Sequence, residues 1–213
     1  MAPHYKDTAI IIHKIKCGPY DNNAYLLECP RTYESIVIDT PADPGSLIEA
    51  AGATDVKAIL ITHNHQDHLL GFEAVTSAIN APVGVGPADA PALPRPADFF
   101  LEDGQEVAAG TLILKAISTP GHTAGSTCLM AGNHLFTGDT LFPGGPGRTG
   151  TPQDLRQVID SITDKLFALD DGTFLYPGHG DDGRLKTAKE EYRVFASREH
   201  PIDLCGDVLW LES

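Results

Sequence analysis

The run of residues from His63 to His68 constrains this chain more than any other part of its sequence. It reads His-Asn-His-Gln-Asp-His and follows an apolar stretch, 58–62, that predicts a buried strand. Three imidazoles and one carboxylate therefore fall within six residues. Neutral imidazole and carboxylate are common ligands of zinc, iron and manganese. Asp67 alone could be a helix N-cap, but four ligand-type side chains directly after a strand favour a metal site.

Three more ligand-type residues lie just past the ends of other predicted strands. His122, Asp139 and His179 follow strands predicted at 111–118, 134–137 and 173–176. Residues at strand ends on one rim of a sheet can converge from distant parts of a chain. We therefore expect these side chains to meet the run that begins at His63. The remaining histidines are interpreted as solvated or core residues: His4, His13, His134 and His200.

Hydrophobic periodicity predicts an alternation of strands and helices along the rest of the chain. Further strands are predicted at 9–15, 23–28, 35–39 and 126–130, and helices at 46–51, 68–80, from Thr151 to about 166, and at 185–197. Thr151 is the expected N-cap of its helix, with Pro152 in the first turn. The Pro/Ala-rich stretch 87–96 is interpreted as a surface loop within one domain that covers residues 1–213.

Composition and charge indicate a globular protein that avoids polyanions. Of the 213 residues, 42% are hydrophobic and 21% charged, and the formal net charge is −14. This charge disfavours binding to nucleic acid or to anionic membranes, because both are bound largely through Lys and Arg. No stretch approaches the ~20 apolar residues of a membrane helix, and the N-terminus does not read as a signal peptide, so we expect a cytoplasmic location. The four cysteines form no CxxC pair and are interpreted as free thiols.

These motifs, in this order, resemble those of the metallo-β-lactamase superfamily, and within it the glyoxalase II-like hydrolases. The resemblance covers nearly the whole chain and rests on the segments 21–26, 63–68, 119–123, 138–140 and 176–179. It implies an α/β fold, the four-layer αβ/βα sandwich, with a metal site on one rim of the two sheets. It also implies two metal ions. His63, His65 and His122 would hold the first, Asp67, His68 and His179 the second, and Asp139 would bridge them.

Such a site implies a metal-dependent hydrolase. Two divalent ions, most simply Zn²⁺ with iron or manganese as alternatives, would lower the pKa of a shared water towards ~7, and the hydroxide would attack a thioester or ester carbonyl. Asp67 could orient the nucleophile or accept its proton. The polar groups of Thr62, Asp39 and Ser126 could fix imidazole tautomers, or could simply cap strand ends.

The substrate is less constrained than the reaction. Arg148 stands where glyoxalase II has a glutathione-binding lysine and can bind a carboxylate, but Gly150 replaces the tyrosine of that loop. Few residues follow His179 to build the family's C-terminal helical domain. We therefore expect a small-molecule thioester, ester or lactone. Two alternatives stay open: a persulfide dioxygenase with a single iron, whose Gly-Arg-Thr motif is echoed at 147–149, and a metal-binding domain without enzymatic activity.

Overall fold

Two β-sheets face each other in the computed structural model, which describes residues 2–213. The first sheet has seven strands in sequence order: β1 (Tyr5–Lys6), β2 (Ile11–Cys17), β3 (Asn22–Glu28), β4 (Glu34–Ile38), β5 (Asp55–Ile61), β6 (Val83–Val85) and β7 (Phe99–Phe100). Strands β1 to β4 pair in antiparallel fashion, and β4 to β7 pair in parallel.

The second sheet contains six strands from the other half of the chain. They are β8 (Glu106–Ala109), β9 (Leu112–Ser118), β10 (Thr127–Ala131), β11 (His134–Gly138), β14 (Phe174–Pro177) and β15 (Gly183–Arg184), in the spatial order β15-β14-β11-β10-β9-β8. Only the β11–β14 pair is parallel. Strands β12 (Leu141–Phe142) and β13 (Gly145–Pro146) form a separate two-stranded pair.

Helices cover the outer face of each sheet. The helices α1 (Gly45–Ala51) and α2 (Phe72–Ala78) share an apolar cluster with the first sheet, whereas α3 (Pro152–Ser161) and α4 (Leu185–Ala196) share one with the second. A π-helical turn, Ile162–Leu166, continues α3. As expected, Thr151 caps α3, because its hydroxyl oxygen accepts a hydrogen bond from the backbone N–H of Asp154 at 3.2 Å.

A third apolar cluster fills the space between the sheets. It combines first-sheet residues such as Ile12 and Leu60 with second-sheet residues such as Leu114 and Phe136, each 0% exposed. Alternation along β9 explains this placement: Leu114 points into the core, whereas Ile113 is 51% exposed. The layers therefore run helix, sheet, sheet, helix, and the predicted four-layer αβ/βα sandwich is confirmed.

The helix predicted at 68–80 is shorter in the structure. Residues Gln66–His68 form a 3₁₀ turn, and α2 begins only at Phe72. Gly71 lies at the interruption, where a larger residue does not fit, because a Cβ there would lie 2.1 Å from the carbonyl oxygen of Pro41. The backbone N–H of Gly71 also donates to the carbonyl oxygen of Thr40 at 2.9 Å. This hydrogen bond ties Gly71 to the segment that follows β4, and the regular helix begins at the next residue, Phe72.

Other segments differ in smaller ways. Seven short strands were not predicted, because two to four residues seldom show a clear periodicity: β1, β6, β7, β8, β12, β13 and β15. The loop 87–96 contains a 3₁₀ turn, Ala90–Ala92. Within residues 2–213, no helix combines the length and the apolar character needed to cross a membrane. All four cysteines are unpaired thiols; Cys205 is half-buried and the other three are buried.

Candidate metal centre

The strands bring all seven candidate ligands to one edge of the two sheets. His63 follows β5, His122 lies between β9 and β10, Asp139 follows β11, and His179 follows β14. Three overlapping groups result, in each of which the ligand atoms lie within 4.8 Å of one another: His63, His65 and His122; His63, His68 and Asp139; and Asp67, His68 and His179. The expected convergence of distant strand ends is therefore present.

The group of His63, His65 and His122, here called the first group, consists of three imidazoles. The ring centroids of His63 and His65 are 4.9 Å apart, those of His63 and His122 are 4.8 Å apart, and those of His65 and His122 are 4.4 Å apart. His63 is buried and His122 half-buried, whereas His65 is exposed. One side of the group is thus open to solvent.

The group of Asp67, His68 and His179, here called the second group, combines one carboxylate with two imidazoles. The Nε2 atoms of His68 and His179 are 3.1 Å apart. Asp67 Oδ2 lies 3.1 Å from the same atom of His179 and 3.6 Å from that of His68. Asp67 does not cap a helix through its side chain. Its Oδ2 instead accepts a hydrogen bond from Asn22 Nδ2 at 2.8 Å, which turns the carboxylate into the group.

Asp139 lies between the two groups and contacts both. Its Oδ2 is 3.6 Å from His122 Nε2 and 3.9 Å from His63 Nε2, whereas its Oδ1 is 3.4 Å from His68 Nε2. The following strand end approaches so closely that a Cβ on Gly178 would lie 2.3 Å from Asp139 Oδ1. The glycine of the 176–179 segment is therefore needed for this close approach.

Hydrogen bonds at Nδ1 orient the imidazoles so that Nε2 faces the centre. His122 Nδ1 donates to the carbonyl oxygen of Arg148 at 2.8 Å, and His179 Nδ1 donates to the carbonyl oxygen of Tyr20 at 2.7 Å. A carbonyl oxygen only accepts, so Nδ1 carries the proton and Nε2 of a neutral ring keeps its lone pair.

Two of the three expected supporting residues perform the same task. His68 Nδ1 lies 3.0 Å from Asp39 Oδ2, and His63 Nδ1 lies 3.0 Å from Thr62 Oγ1. The Thr62 hydroxyl donates to Asp39 Oδ2 at 2.8 Å, which leaves its oxygen to accept from His63. Ser126 does not contact any of these imidazoles, because its hydroxyl lies against Thr123 instead.

Burial keeps His63 and His122 of the first group neutral. It lowers the pKa of His63 well below its ordinary value, and the neighbouring His68 lowers it further. Burial also lowers the pKa of His122. These rings therefore present Nε2 lone pairs rather than protons at neutral pH, as metal binding requires.

The second group is electrostatically different, because it contains the carboxylate of Asp67 and lies beside those of Asp39 and Asp139. Burial opposes protonation of His68 and His179, but the pKa of His68 is raised by Asp39 and Asp139, and the pKa of His179 is raised to about 10 by its hydrogen bonds with Asp139 and Asp67. The same bonds hold the pKa of both acids, Asp67 and Asp139, below the usual range. A cation can take the place of these protons.

Unsatisfied polar atoms show that the centre fits divalent cations. His63 Nε2, His122 Nε2 and Asp139 Oδ1 are buried and have no hydrogen-bond partner. Buried polar atoms are normally paired, and these three belong to residues of the ligand groups. A His/Asp set with an open side also suits a dinuclear divalent metal site better than a closed structural one.

A buried aspartate that the sequence did not reveal joins the two ligand-bearing loops. Asp89, 1% exposed, accepts hydrogen bonds from Asn64 N at 3.0 Å, Thr123 Oγ1 at 2.6 Å and Gly125 N at 2.8 Å. It fixes the turn that carries His63 and His65 against the loop that carries His122. It lies within the Pro/Ala-rich stretch, where no spacing pattern marks it.

The other four histidines have different partners, as expected. His4 pairs with Asp182, His13 with Glu28, His134 with the hydroxyl of Tyr176, and His200 with the carbonyl oxygen of Phe195. Within residues 2–213 they belong to none of the ligand groups.

Two cavities open onto the centre, and His179 lines both. The first, here called the Tyr20 cavity, has a volume of about 500 Å³ and is lined by Tyr20, Gln66, Asp67, Leu70 and His179. The second, the Arg148 cavity, has a volume of about 300 Å³ and is lined by His122, Asp139, Phe142, Pro143, Gly145, Pro146, Gly147, Arg148, His179, Asp207, Val208 and Leu209. Arg148 lies at its rim, where it pairs with Asp207 at 3.3 Å.

Several proteins of known sequence are similar to this chain. It is 31% identical over 182 residues to a probable polyketide biosynthesis zinc-dependent hydrolase, BaeB, from Bacillus velezensis, a match that covers 79% of this chain and 78% of that protein. It is 33% identical over 177 residues to a hydroxyacylglutathione hydrolase from Polaromonas sp., a match that covers 80% of this chain and 66% of that protein. The chain spans 56%, 61% and 66% of the length of three such hydrolases that it matches.

A solved structure and a family profile agree with these relatives. A protein solved in a di-iron-bound form superimposes with a TM-score of 0.71 at 27% identity, over 83% of this chain and 96% of that one. The profile of the metallo-beta-lactamase superfamily matches residues 17–179, which include all seven candidate ligands. The resemblance noted from the motifs is confirmed: the chain belongs to the metallo-β-lactamase superfamily.

Proposed function

We propose that this protein is a two-metal hydrolase that acts on a thioester or ester carbonyl. The observation that carries the proposal is the pair of three-residue groups with Asp139 between them. In this proposal His63, His65 and His122 hold one ion, Asp67, His68 and His179 hold the other, and Asp139 binds both.

The bound ions would supply a water of lowered pKa and a Lewis acid for the carbonyl oxygen. The chain's own residues would do the rest. Asp67 stays ionised, because hydrogen bonds with His179 and Asn22 lower its pKa, so its carboxylate can accept a hydrogen bond from the attacking water and orient it. The water oxygen bonds to the carbonyl carbon, the carbon–sulfur bond breaks, and the departing thiolate takes up a proton.

Zinc is the proposed metal. Imidazole nitrogen and carboxylate oxygen are ordinary zinc ligands, and the relative from Bacillus velezensis is described as zinc-dependent. The same donors also suit iron and manganese, and a related structure holds two irons. We therefore expect zinc to bind, with iron as the chief competitor.

The second ligand group favours this function over the two alternatives. A dioxygenase with one iron needs only two histidines and an aspartate, which would leave Asp67, His68 and His179 without a task, although Asn22, Asp39 and the Tyr20 carbonyl orient them. A purely structural metal site would be closed, whereas this one is open to two cavities.

Thiol release under anaerobic conditions tests the proposal. The zinc-loaded protein is incubated in a sealed anaerobic cuvette with acyl thioesters of glutathione and of N-acetylcysteamine, and the iron-loaded protein is placed in a second, aerated cell with glutathione persulfide and an oxygen electrode. We expect free thiol to appear without oxygen, and no oxygen uptake with the persulfide. Oxygen consumption by the iron-loaded protein, without thiol release from any thioester, would replace the hydrolase with the dioxygenase.

A further inference from the structure

Exposed apolar side chains stand on one side of the metal centre. Tyr20 is 60% exposed and Leu70 is 49% exposed, although both are large and apolar. Both line the Tyr20 cavity together with Gln66 and the candidate ligands Asp67 and His179. Large apolar side chains at the mouth of a polar centre are typical of a site that binds an apolar ligand.

The Arg148 cavity also has apolar lining residues, and the C-terminal segment supplies two of them. Val208 and Leu209 line the Arg148 cavity beside Phe142. The segment is anchored, because Trp210 is 0% exposed and its backbone N–H donates to the carbonyl oxygen of Gly144 at 2.8 Å. The segment that carries Val208 and Leu209 is therefore a fixed part of the cavity lining.

The cations around the centre are already paired with aspartates. Arg148 pairs with Asp207 at 3.3 Å, and both residues line the Arg148 cavity. Beside His179, Lys14 pairs with Asp182 and Lys16 pairs with Asp21, each at 2.7 Å. Among the residues described, 2–213, no Lys or Arg that lines either cavity lacks an acidic partner.

This distribution matters for a glutathione conjugate, which carries two carboxylates. Each carboxylate needs a cation or several donors to replace its water. Arg148 could supply one cation only by sharing it with Asp207, and the field of Asp207 opposes a second anion at the same place. An uncharged substrate has no carboxylate to desolvate and is not repelled by Asp207.

We propose that the substrate is an uncharged acyl thioester or ester with an apolar acyl chain, rather than a glutathione conjugate. The acyl chain lies against Tyr20 and Leu70, and the thiol or alcohol part lies on the Arg148 side. Leu70 and Asp207 are the specificity-determining residues. This assignment rests on the proposed hydrolase function and names the substrate class for it.

The test compares matched thioesters that differ in one part at a time. Acetyl and hexanoyl groups are each joined to N-acetylcysteamine, which is uncharged, and to glutathione, and kcat/KM is measured with the zinc-loaded protein. The four extra methylenes should raise kcat/KM at least about tenfold, since each fully buried methylene is worth about fourfold. For the same acyl group, the uncharged thioester should be preferred by about tenfold.

Three variants assign these effects to residues. Leu70→Ser should remove most of the preference for hexanoyl over acetyl. Asp207→Asn should shift the ratio of kcat/KM for the glutathione thioesters to kcat/KM for the uncharged thioesters by about fivefold towards glutathione. The control, Ile202→Ser, changes a side chain that is 92% exposed and lines neither cavity, so it should change nothing.

The outcomes separate this inference from the function on which it rests. A preference for glutathione thioesters, or equal kcat/KM for acetyl and hexanoyl groups, would overturn the substrate class while leaving the hydrolase in place. A chain-length dependence that survives in Leu70→Ser would overturn the role given to Leu70. Hydrolysis of none of the thioesters would overturn the proposed function and the substrate class together.

Discussion

The carboxylate of Asp39 lies 3.0 Å from Nδ1 of the His68 imidazole, wholly inside the protein. Asp39 adopts a left-handed backbone conformation, with φ of 61°, which aspartate and asparagine tolerate better than most residues. It also accepts hydrogen bonds from the backbone and hydroxyl of Thr62. One buried carboxylate therefore orients both His68 and the residue that orients His63.

This relationship predicts that Asp39 sets the affinity of the second ion. Asp39→Asn keeps the backbone conformation but loses the charge that supports His68, so we expect zinc affinity at the second site to fall about 10–100-fold. Competition with a chromophoric chelator measures it. Asp55→Asn, at the far end of β5 with a side chain that is 66% exposed, is the control. An unchanged second affinity in Asp39→Asn would show that His68 does not depend on this carboxylate.

The carboxylate of Asp67 is expected to be needed for turnover. Asp67→Asn keeps the shape of the side chain beside Asn22 but removes the charge that holds the second ion and orients water. We expect kcat/KM for a thioester to fall by about 10²-fold or more, with little change in Tm. Near-normal turnover in a folded Asp67→Asn protein would remove Asp67 from the active centre.

The buried carboxylate of Asp89 is expected to stabilise the fold as well as the site. Asp89→Ala would leave the backbone N–H groups of Asn64 and Gly125 without an acceptor, which should lower the free energy of unfolding by about 2–3 kcal/mol. Urea denaturation of the metal-free protein measures this loss, with Asp203→Ala, an exposed position, as the control. A loss no larger than that of the control would mean that these donors find other partners.

The four thiols are expected to differ in reactivity. Burial raises the pKa of Cys17 and Cys128 to about 11, so that only about one in a thousand would be thiolate at pH 8. Burial opposes ionisation of Cys29, but its hydrogen bonds with Thr111 and Thr32 lower its pKa to about 6. Its side chain is nevertheless 0% exposed and closed to a reagent, whereas Cys205 is half-buried. A disulfide reagent at pH 8 should therefore modify one thiol quickly in the native protein and four after unfolding, and Cys205→Ser should abolish the fast phase. Rapid modification of a second thiol would contradict this burial pattern.

Much of the fold could be predicted because its longer elements carry strong periodicity. Leu155, Val158 and Ile162 mark α3 at helical spacing, and they are buried as expected. The strands β6 and β7 could not be predicted from three and two residues. At the break before α2, the backbone N–H of Gly71 donates to the carbonyl oxygen of Thr40, and the two residues are far apart in sequence.

The candidate site shows a similar division. The ligand-type residues could be recognised because they cluster in one run and recur at strand ends. Asp89 could not be recognised, because a single aspartate in a Pro/Ala-rich loop looks like a solvated charge until the loops meet. Asn22 belongs to the family segment 21–26, but its hydrogen bond with Asp67 joins the start of β3 to the turn after β5, which the sequence does not show. That residues 1–213 form one domain, and that the protein is cytoplasmic, stay predictions.

The number of metal ions needed for hydrolysis tests the central claim most directly. Metal-free protein is titrated with zinc while bound metal and thiol release from hexanoyl-N-acetylcysteamine are followed in the same samples. We expect full activity only when about two ions per chain are bound, and we expect His179→Ala to bind about one ion and to lose most of the activity. Saturation of both binding and activity at one ion per chain, with His179→Ala unchanged, would contradict the two-metal hydrolase.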